Sequence, residues 1–442
     1  MKRTIRKFFT FALLAVGFVA GSNVKASAAK LAIDATNFPD TAIRNALVRD
    51  AEDNYDDTDA NGKYSKAADT YYVNTDEITY ITVFEQDGVV NSVDCLKVFP
   101  NLNEVNLYDI NATELKFADS VTSVYLSGIP SSSFKVEANN LKTFAVNASK
   151  GHGAISMPNM ANLTSLHLFN VKLASFDASQ CPKLVELSLC ETQTSSIKGL
   201  ENLKNLNYIN ISSSTVTSMD LSASKNLQTV YVGSNKKLTS VKLPNSVKIV
   251  YLSDNDLKSI NVKGAKNLNY LNVSGNKNLK SLDISKNTKL YGVYLSNTKV
   301  SKLNTSKNTK LTSISCYKTK VKSLNISKNK KLNTLNVSDN KSLKSLNVKN
   351  NKNLTDLNYY GSGIKKLNLS KQKEISLTYD GVKKGKSISL KNIIGTGYKV
   401  TYSYGGIKYN KKNGSFKVTK KGYAYLTLKK GKLTRYISVS VK

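Results

Sequence analysis

The chain has 442 residues, with 65 Lys+Arg against 31 Asp+Glu and a formal net charge of +34. Two His and four Cys leave little material for a zinc site or a Cys–His nucleophile pair. The length allows more than one domain, and no carboxylate pair stands out as in glycoside hydrolysis.

In chain order, Lys2, Arg3, Arg6 and Lys7 precede an apolar run, residues 8–20, too short to span a bilayer. Ala26 and Ala28 place small residues before a cleavage site at Ala29, so residues 1–28 read as a signal peptide. The expected protein is bacterial, secreted, extracellular or cell-surface associated, with no membrane span after cleavage. No cysteine follows the apolar core and no apolar stretch ends the sequence, so a covalent anchor is not expected.

Residues 29–77 carry 11 acidic and 5 basic side chains and read as an N-terminal cap. Asn37-Phe38-Pro39-Asp40 opens a predicted amphipathic helix that runs to about Asp50, with Ile43 and Leu47 on one face. The run Asp57-x-Asp59-x-Asn61-Gly62 matches the first half of a calcium loop, with oxygen ligands at alternate positions and Gly at the sharp turn. The position expected to hold a bidentate Glu is Ala68. Glu77 fits that role if residues 66–75 bulge. Asp57, Asp59, Asn61 and Glu77 are therefore candidate ligands for a structural calcium, the alternative being an acidic capping turn.

From residue 78 to 377 the chain repeats itself. LNYLNVSGNKNLKSLDISKNTKL (268–290) shows the unit. Unit openers such as Leu227, Val247, Leu268, Leu290 and Leu311 recur every 19 to 22 residues, the period of a solenoid. Leu268, Leu271 and Val273 point inward from one strand. Leu279, Leu282 and Ile284 repeat the same spacing without helical period, which predicts a second strand. The expected fold class is mainly β: a solenoid of about 14 short coils with two parallel sheets, a small helical cap and a C-terminal β-sandwich-like domain. Asn255, Asn276 and Asn340 stand where a turn needs a side chain that bonds neighbouring backbone. Cys316 takes an inward core position, and the four cysteines are expected to be reduced.

Residues 378–442 alternate strands with turns at Gly414, Gly422 and Gly431, and carry 16 basic side chains with Asp380 as their acid. They form an expected small all-β domain. Gly381–Ser387 imitates a phosphate loop, but it is one residue short and β-rich sequence follows it.

The unit L-x-x-L-x-L-x-x-N-x-x-L-x-x-L-D/N-I/V/L-S-x-N resembles the leucine-rich repeat family, in its 21-residue bacterial type, over about residues 78–377. The F-P-D helix with its acidic loop resembles the cap of secreted bacterial members. The run GSFKVTKKGYAYLTLKKGK resembles the closing strands of a bacterial immunoglobulin-like domain. The resemblance implies an internalin-like, adhesin-like role: a non-enzymatic extracellular binding protein recognising a protein or glycan.

Such recognition would lie in the outward residues. Tyr125, His167, Tyr231, Tyr251 and Tyr294 share one outward column, with Tyr208 and Tyr270 two positions earlier. Clustered tyrosines suit partner binding, while cross-strand stacking alone would serve the sheet. On the second sheet Lys258, Lys280, Lys322, Lys344 and Lys365 line up as candidates for binding an anionic cell-wall polymer. Beside them Asp177, Asp220 and Asp283 give way to Asn304, Asn325, Asn347 and Asn368. The alternative is a solvated face shaped by codon bias. A second function class follows, a wall-associated structural protein held by charge without a specific partner. Nucleic-acid binding would be incidental to charge, not specific.

Overall fold

The computed structural model describes residues 30–54, 63–129, 134–148 and 154–442. The expected signal peptide and Asp57, Asp59 and Asn61 lie outside the described residues. Among the described residues, no helix is long and apolar enough to cross a membrane.

The molecule is mainly β, a leucine-rich repeat solenoid of about 14 turns. Each coil opens with a strand whose middle residue points inward. In Tyr270–Asn272, Leu271 is fully buried while its neighbours face out. A lone coil cannot bury that residue, so it stacks. Leu271 pairs in parallel with Val250 before it and Val293 after it. Repetition gives a front sheet of fifteen parallel strands, from Tyr80–Val83 to Glu374–Val382, among the described residues. Behind it the expected inward residues form one apolar core, including Leu279, Leu282, Ile284 and Cys316.

After most front strands the chain turns through one left-handed residue. Asp254, Asn297, Lys318 and Asp339 have φ of 57°, 56°, 51° and 53°. Gly275 holds the same place at 77°, and a Cβ there would approach Asp254 Oδ1 to 2.2 Å. Gly, Asn and Asp tolerate this conformation, and Lys is strained by it.

The rear side is less regular than two continuous sheets. Strands pair only in short patches, such as Ser218–Asp220 with Ser240–Lys242 and Leu303–Asn304 with Leu324–Asn325. Leu282 and Ile284 are buried without strand pairing. Side-chain amides replace the missing ladder. Asn308 Nδ2 donates to the carbonyls of Ile284 (2.9 Å) and Asn287 (2.8 Å). Asn329, Asn351 and Gln372 repeat the pattern, each reaching one coil back. A second ladder lines the front turn, where Asn255, Asn276 and Asn340 bond backbone carbonyls as the sequence implies.

The C-terminal segment ends this stack. Strand Leu433–Val441 pairs in parallel with Glu374–Val382, which runs across the expected boundary at residue 377. Gly422–Lys430 and Lys399–Tyr404 then extend the same sheet in antiparallel order. A three-stranded sheet of Ser387–Ser389, Ser415–Val418 and Ile407–Asn410 covers its inner face, with Phe416 packed against Tyr379 at 5.2 Å. Arg435 closes the rear amide ladder. Its Nη2 donates to Leu369 O and its Nη1 to Gln372 O, both at 3.0 Å. These are the two carbonyls that the amide of a further coil would take. Arg435 is 1% exposed, and burial pushes its pKa down.

At the other end, helix Thr41–Asn54 outruns the predicted stop near Asp50 and buries Ile43 and Leu47. Asp40 Oδ1 caps it by accepting from Ile43 N, while Oδ2 accepts from Asn91 N and Ser92 N of the first coil. Phe38 stacks on Phe99 at 5.7 Å. The F-P-D motif therefore joins cap to solenoid.

Candidate functional site

The front sheet collects the tyrosines. Parallel register puts Tyr231 beside Tyr251 and Asn210, and Tyr270 beside Ile249 and Gly292. The rings follow one another as Tyr208–Tyr231 (5.9 Å), Tyr231–Tyr251 (4.4 Å), Tyr251–Tyr270 (4.6 Å) and Tyr270–Tyr294 (5.1 Å). Tyr291 joins at 6.0 Å from Tyr270 and is 46% exposed. Gly292 makes the room, since a Cβ there would lie 3.0 Å from the Tyr294 ring and 3.2 Å from that of Tyr270. Five of the seven expected partner-binding residues thus form one row. Tyr291 was missed because it sits one position ahead of the strand, where the pattern reads as turn.

Tyr231 and Tyr251 are inclined by only 15°, so they stack face to face. Tyr251 and Tyr270 are inclined by 30°. The row therefore presents ring edges and hydroxyls outward rather than open faces. Burial, then neighbouring phenols, raise the pKa of Tyr231 and Tyr270 above the usual value, so both stay neutral at physiological pH.

The two outward columns of these strands are uncharged, while Lys248, in the column of Tyr291, is exposed. From Tyr208–Asn210 to Thr334–Asn336, seven successive strands place only Tyr, Thr, Ile, Asn, Gly and Ser in their two outward columns. Glu186 and Asp356 bound this stretch.

Tyr125 and His167 lie apart from the row, flanking Ala145 on the earlier strands. Ser165 Oγ is 2.8 Å from His167 Nε2, and Glu186 Oε2 is 3.4 Å from that same nitrogen. A nucleophile–base–acid relay needs the acid on the opposite ring nitrogen. Both groups here approach the same nitrogen, which is not that arrangement. The contact with His167 lowers the pKa of Glu186.

The same sheet carries tyrosines past the solenoid. Tyr436 stands opposite Ser376, and Tyr425 lies 6.2 Å from Tyr404. Tyr402, Tyr404, Tyr425 and Tyr436 are 42–59% exposed. The i, i+2 spacing of Tyr402/Tyr404 and Tyr423/Tyr425 was their signal in the sequence.

On the rear, Lys258, Lys280, Lys322, Lys344 and Lys365 are all exposed. Glu77, the one described member of the calcium candidates, is exposed at the end of the turn Thr75–Glu77. Among the described residues no three His, Cys, Asp or Glu side chains converge as metal ligands. The four cysteines are free thiols.

No family model matches the chain. No curated protein matches it either. Solved structures do. An internalin, InlF, from Listeria monocytogenes superposes with a TM-score of 0.55 at 17% identity, covering 78% of this chain and 96% of that one. The functional domain of InlJ from the same organism, which includes a cysteine ladder, gives 0.47 at 15% identity, covering 94% and 100%. A leucine-rich repeat protein from Leptospira interrogans gives 0.44 at 17%, covering 66% and 92%. The likeness to InlF agrees with the pairings above, and the fold of this chain is the leucine-rich repeat solenoid.

Proposed function

We propose that this chain is a non-enzymatic extracellular recognition protein, adhesin-like in role, that binds a protein partner through its front sheet. One observation carries the reading. In a chain of net charge +34, seven successive strands place no charged residue in the two outward columns that carry Tyr208, Tyr231, Tyr251, Tyr270 and Tyr294. An uncharged aromatic centre bounded by Glu186 and Asp356 has the composition of a protein interface, depleted of charge at its core and rich in Tyr. The stacked rings favour a protein over a glycan. A sugar packs against an open aromatic face, and Tyr231 and Tyr251 cover each other's. Hydroxyls spaced along the stack instead offer hydrogen bonds to a polypeptide.

The test is photo-crosslinking from two positions in the same coils. A crosslinking residue at Tyr294 should trap the partner, while one at Lys322 should not. Equal trapping from both positions, or trapping from Lys322 alone, would remove the front sheet from the proposal.

A further inference from the structure

The lysines of the later coils point to a second surface, independent of the tyrosine row. Residues 256–374 hold 25 Lys and no Arg, against 5 Asp+Glu. Lys258, Lys280, Lys322, Lys344 and Lys365 stand one above another on the rear, and none has an ion-pair or hydrogen-bond partner among the described residues. Lys286 and Lys307 head a further column. Stacked like charges repel, so the fold gains nothing from them.

The neighbouring column decides the matter. Asp220 Oδ1 accepts from Ser222 N, and Asp283 Oδ1 from Ser285 N, both at 3.0 Å. Each carboxylate also pairs with a lysine, Asp220 with Lys242 at 2.8 Å and Asp283 with Lys263 at 3.1 Å. In later coils Asn304, Asn325 and Asn347 make the same turn bond, to Ser306 N (3.0 Å), Ser327 N (3.1 Å) and Lys349 N (3.0 Å). The turn accepts either residue. Asn in place of Asp keeps this hydrogen bond and puts no carboxylate beside the later lysines.

We propose that this rear face binds a linear polyanion with a phosphodiester backbone, an anionic cell-surface polymer, laid along the solenoid axis. Coils about 4.8 Å apart give it a near-continuous row of ammonium groups. Lysine supplies mobile point charges without the fixed fork of arginine, which suits a flexible chain of phosphates. The rear offers no base-stacking platform. Tyr291, on the front, is the large exposed hydrophobic residue of these coils, and single-stranded nucleic acid is held by aromatic stacking as well as charge.

The experiment titrates the purified full chain with synthetic poly(glycerol phosphate) at 0.1 M salt, where the screening length is about 10 Å. Three proteins are compared: wild type, N304D/N325D/N347D, and N210D/N272D/N336D. Both triples add the same charge at Asn residues whose Oδ1 serves as an acceptor, the first on the rear and the second on the front. The rear triple should melt like wild type and bind about tenfold more weakly or worse, while the front triple stays within about twofold of wild type. Wild-type affinity in the rear triple, or equal losses in both, overturns the proposal. If the rear triple melts early, changing the five rear lysines to Gln reads out the same loss. A single-stranded oligonucleotide of equal charge forms the last arm. It should bind no tighter than the polymer, and tenfold tighter binding would assign the face to nucleic acid instead.

Discussion

Front and rear of the coils between residues 256 and 374 are made by one repeat around one core, yet they share almost nothing on the outside. From Tyr270 to Asn336 the front shows Tyr, Asn, Gly, Ser and Thr in its outward columns and no charge, with Asp356 at its end. The rear shows lysine columns beside one in which Asp283 is followed by Asn304, Asn325 and Asn347. Tyr, Asn and Lys all have AT-rich codons, so codon supply alone would not separate Tyr and Asn on one face from Lys on the other. The inward positions explain neither surface, because Leu271, Leu282 and their equivalents see only the core. The proposed roles assign the contrast to what each face meets.

The core common to both faces is the first thing to break. Leu271→Asp buries an unpaired carboxylate between Val250 and Val293 and should cost about 4 kcal/mol or more in a urea melt. Unfolding should then split, because each coil is held only by its neighbours. An unchanged melt would refute the register.

Arg435→Met comes next. It removes the donors to Leu369 O and Gln372 O at the closing rung and should cost about 3 kcal/mol. Hydrogen exchange should rise first in coils near residue 370 and leave the N-terminal coils protected.

Tyr251→Ala touches the front alone. It removes two stacked neighbours, at 4.4 and 4.6 Å, and should cost about 1–2 kcal/mol, with no change in polymer binding at the rear. A loss at the rear would show that the faces are not separable.

Acid separates the earlier coils from the later ones. Lys242 and the Ser222 turn hold Asp220 down to about 2, and the Ser285 turn, with Lys263, does the same for Asp283. Both lie below the ordinary value of 3.8. Their contribution is therefore present above about pH 4 and lost as pH falls towards 2. D220N/D283N should flatten that part of the stability curve. The same replacement is already native at Asn304 and Asn325, so coils there should show no such acid step.

The smallest effect is at Lys318, held at φ 51°. Lys318→Gly relieves the strain at the cost of a looser unfolded chain, and should raise stability by about 0.5 kcal/mol. Destabilisation would mean the lysine stem packs there.

The Leu periodicity carried the coil register, and the outward tyrosine column followed from it, because position within a coil sets direction. Features that depend on pairing between distant segments were not legible. Nothing near Arg435 announces that it reaches Leu369 and Gln372, more than sixty residues earlier. The tail reads as a separate domain because its strands and turns are locally complete, while its parallel pairing to Glu374–Val382 is a tertiary fact. The second strand of each coil was inferred from spacing that Leu282 and Ile284 satisfy through burial alone, since the amide ladder takes over the hydrogen bonding there. Tyr291 escaped notice because it precedes its strand, where the pattern reads as turn, although its ring lies 6.0 Å from that of Tyr270.

The most direct test of the division between faces is partner capture at 0.1 and 0.5 M salt. The baits are wild type, Y231S/Y251S/Y270S, and the variant with Lys258, Lys280, Lys322, Lys344 and Lys365 changed to Gln. The account predicts that wild type and the lysine variant recover the same protein at both salts, while the tyrosine variant, folded by its melting curve, recovers none. Recovery by the tyrosine variant, or loss of capture by wild type at 0.5 M salt, would contradict it.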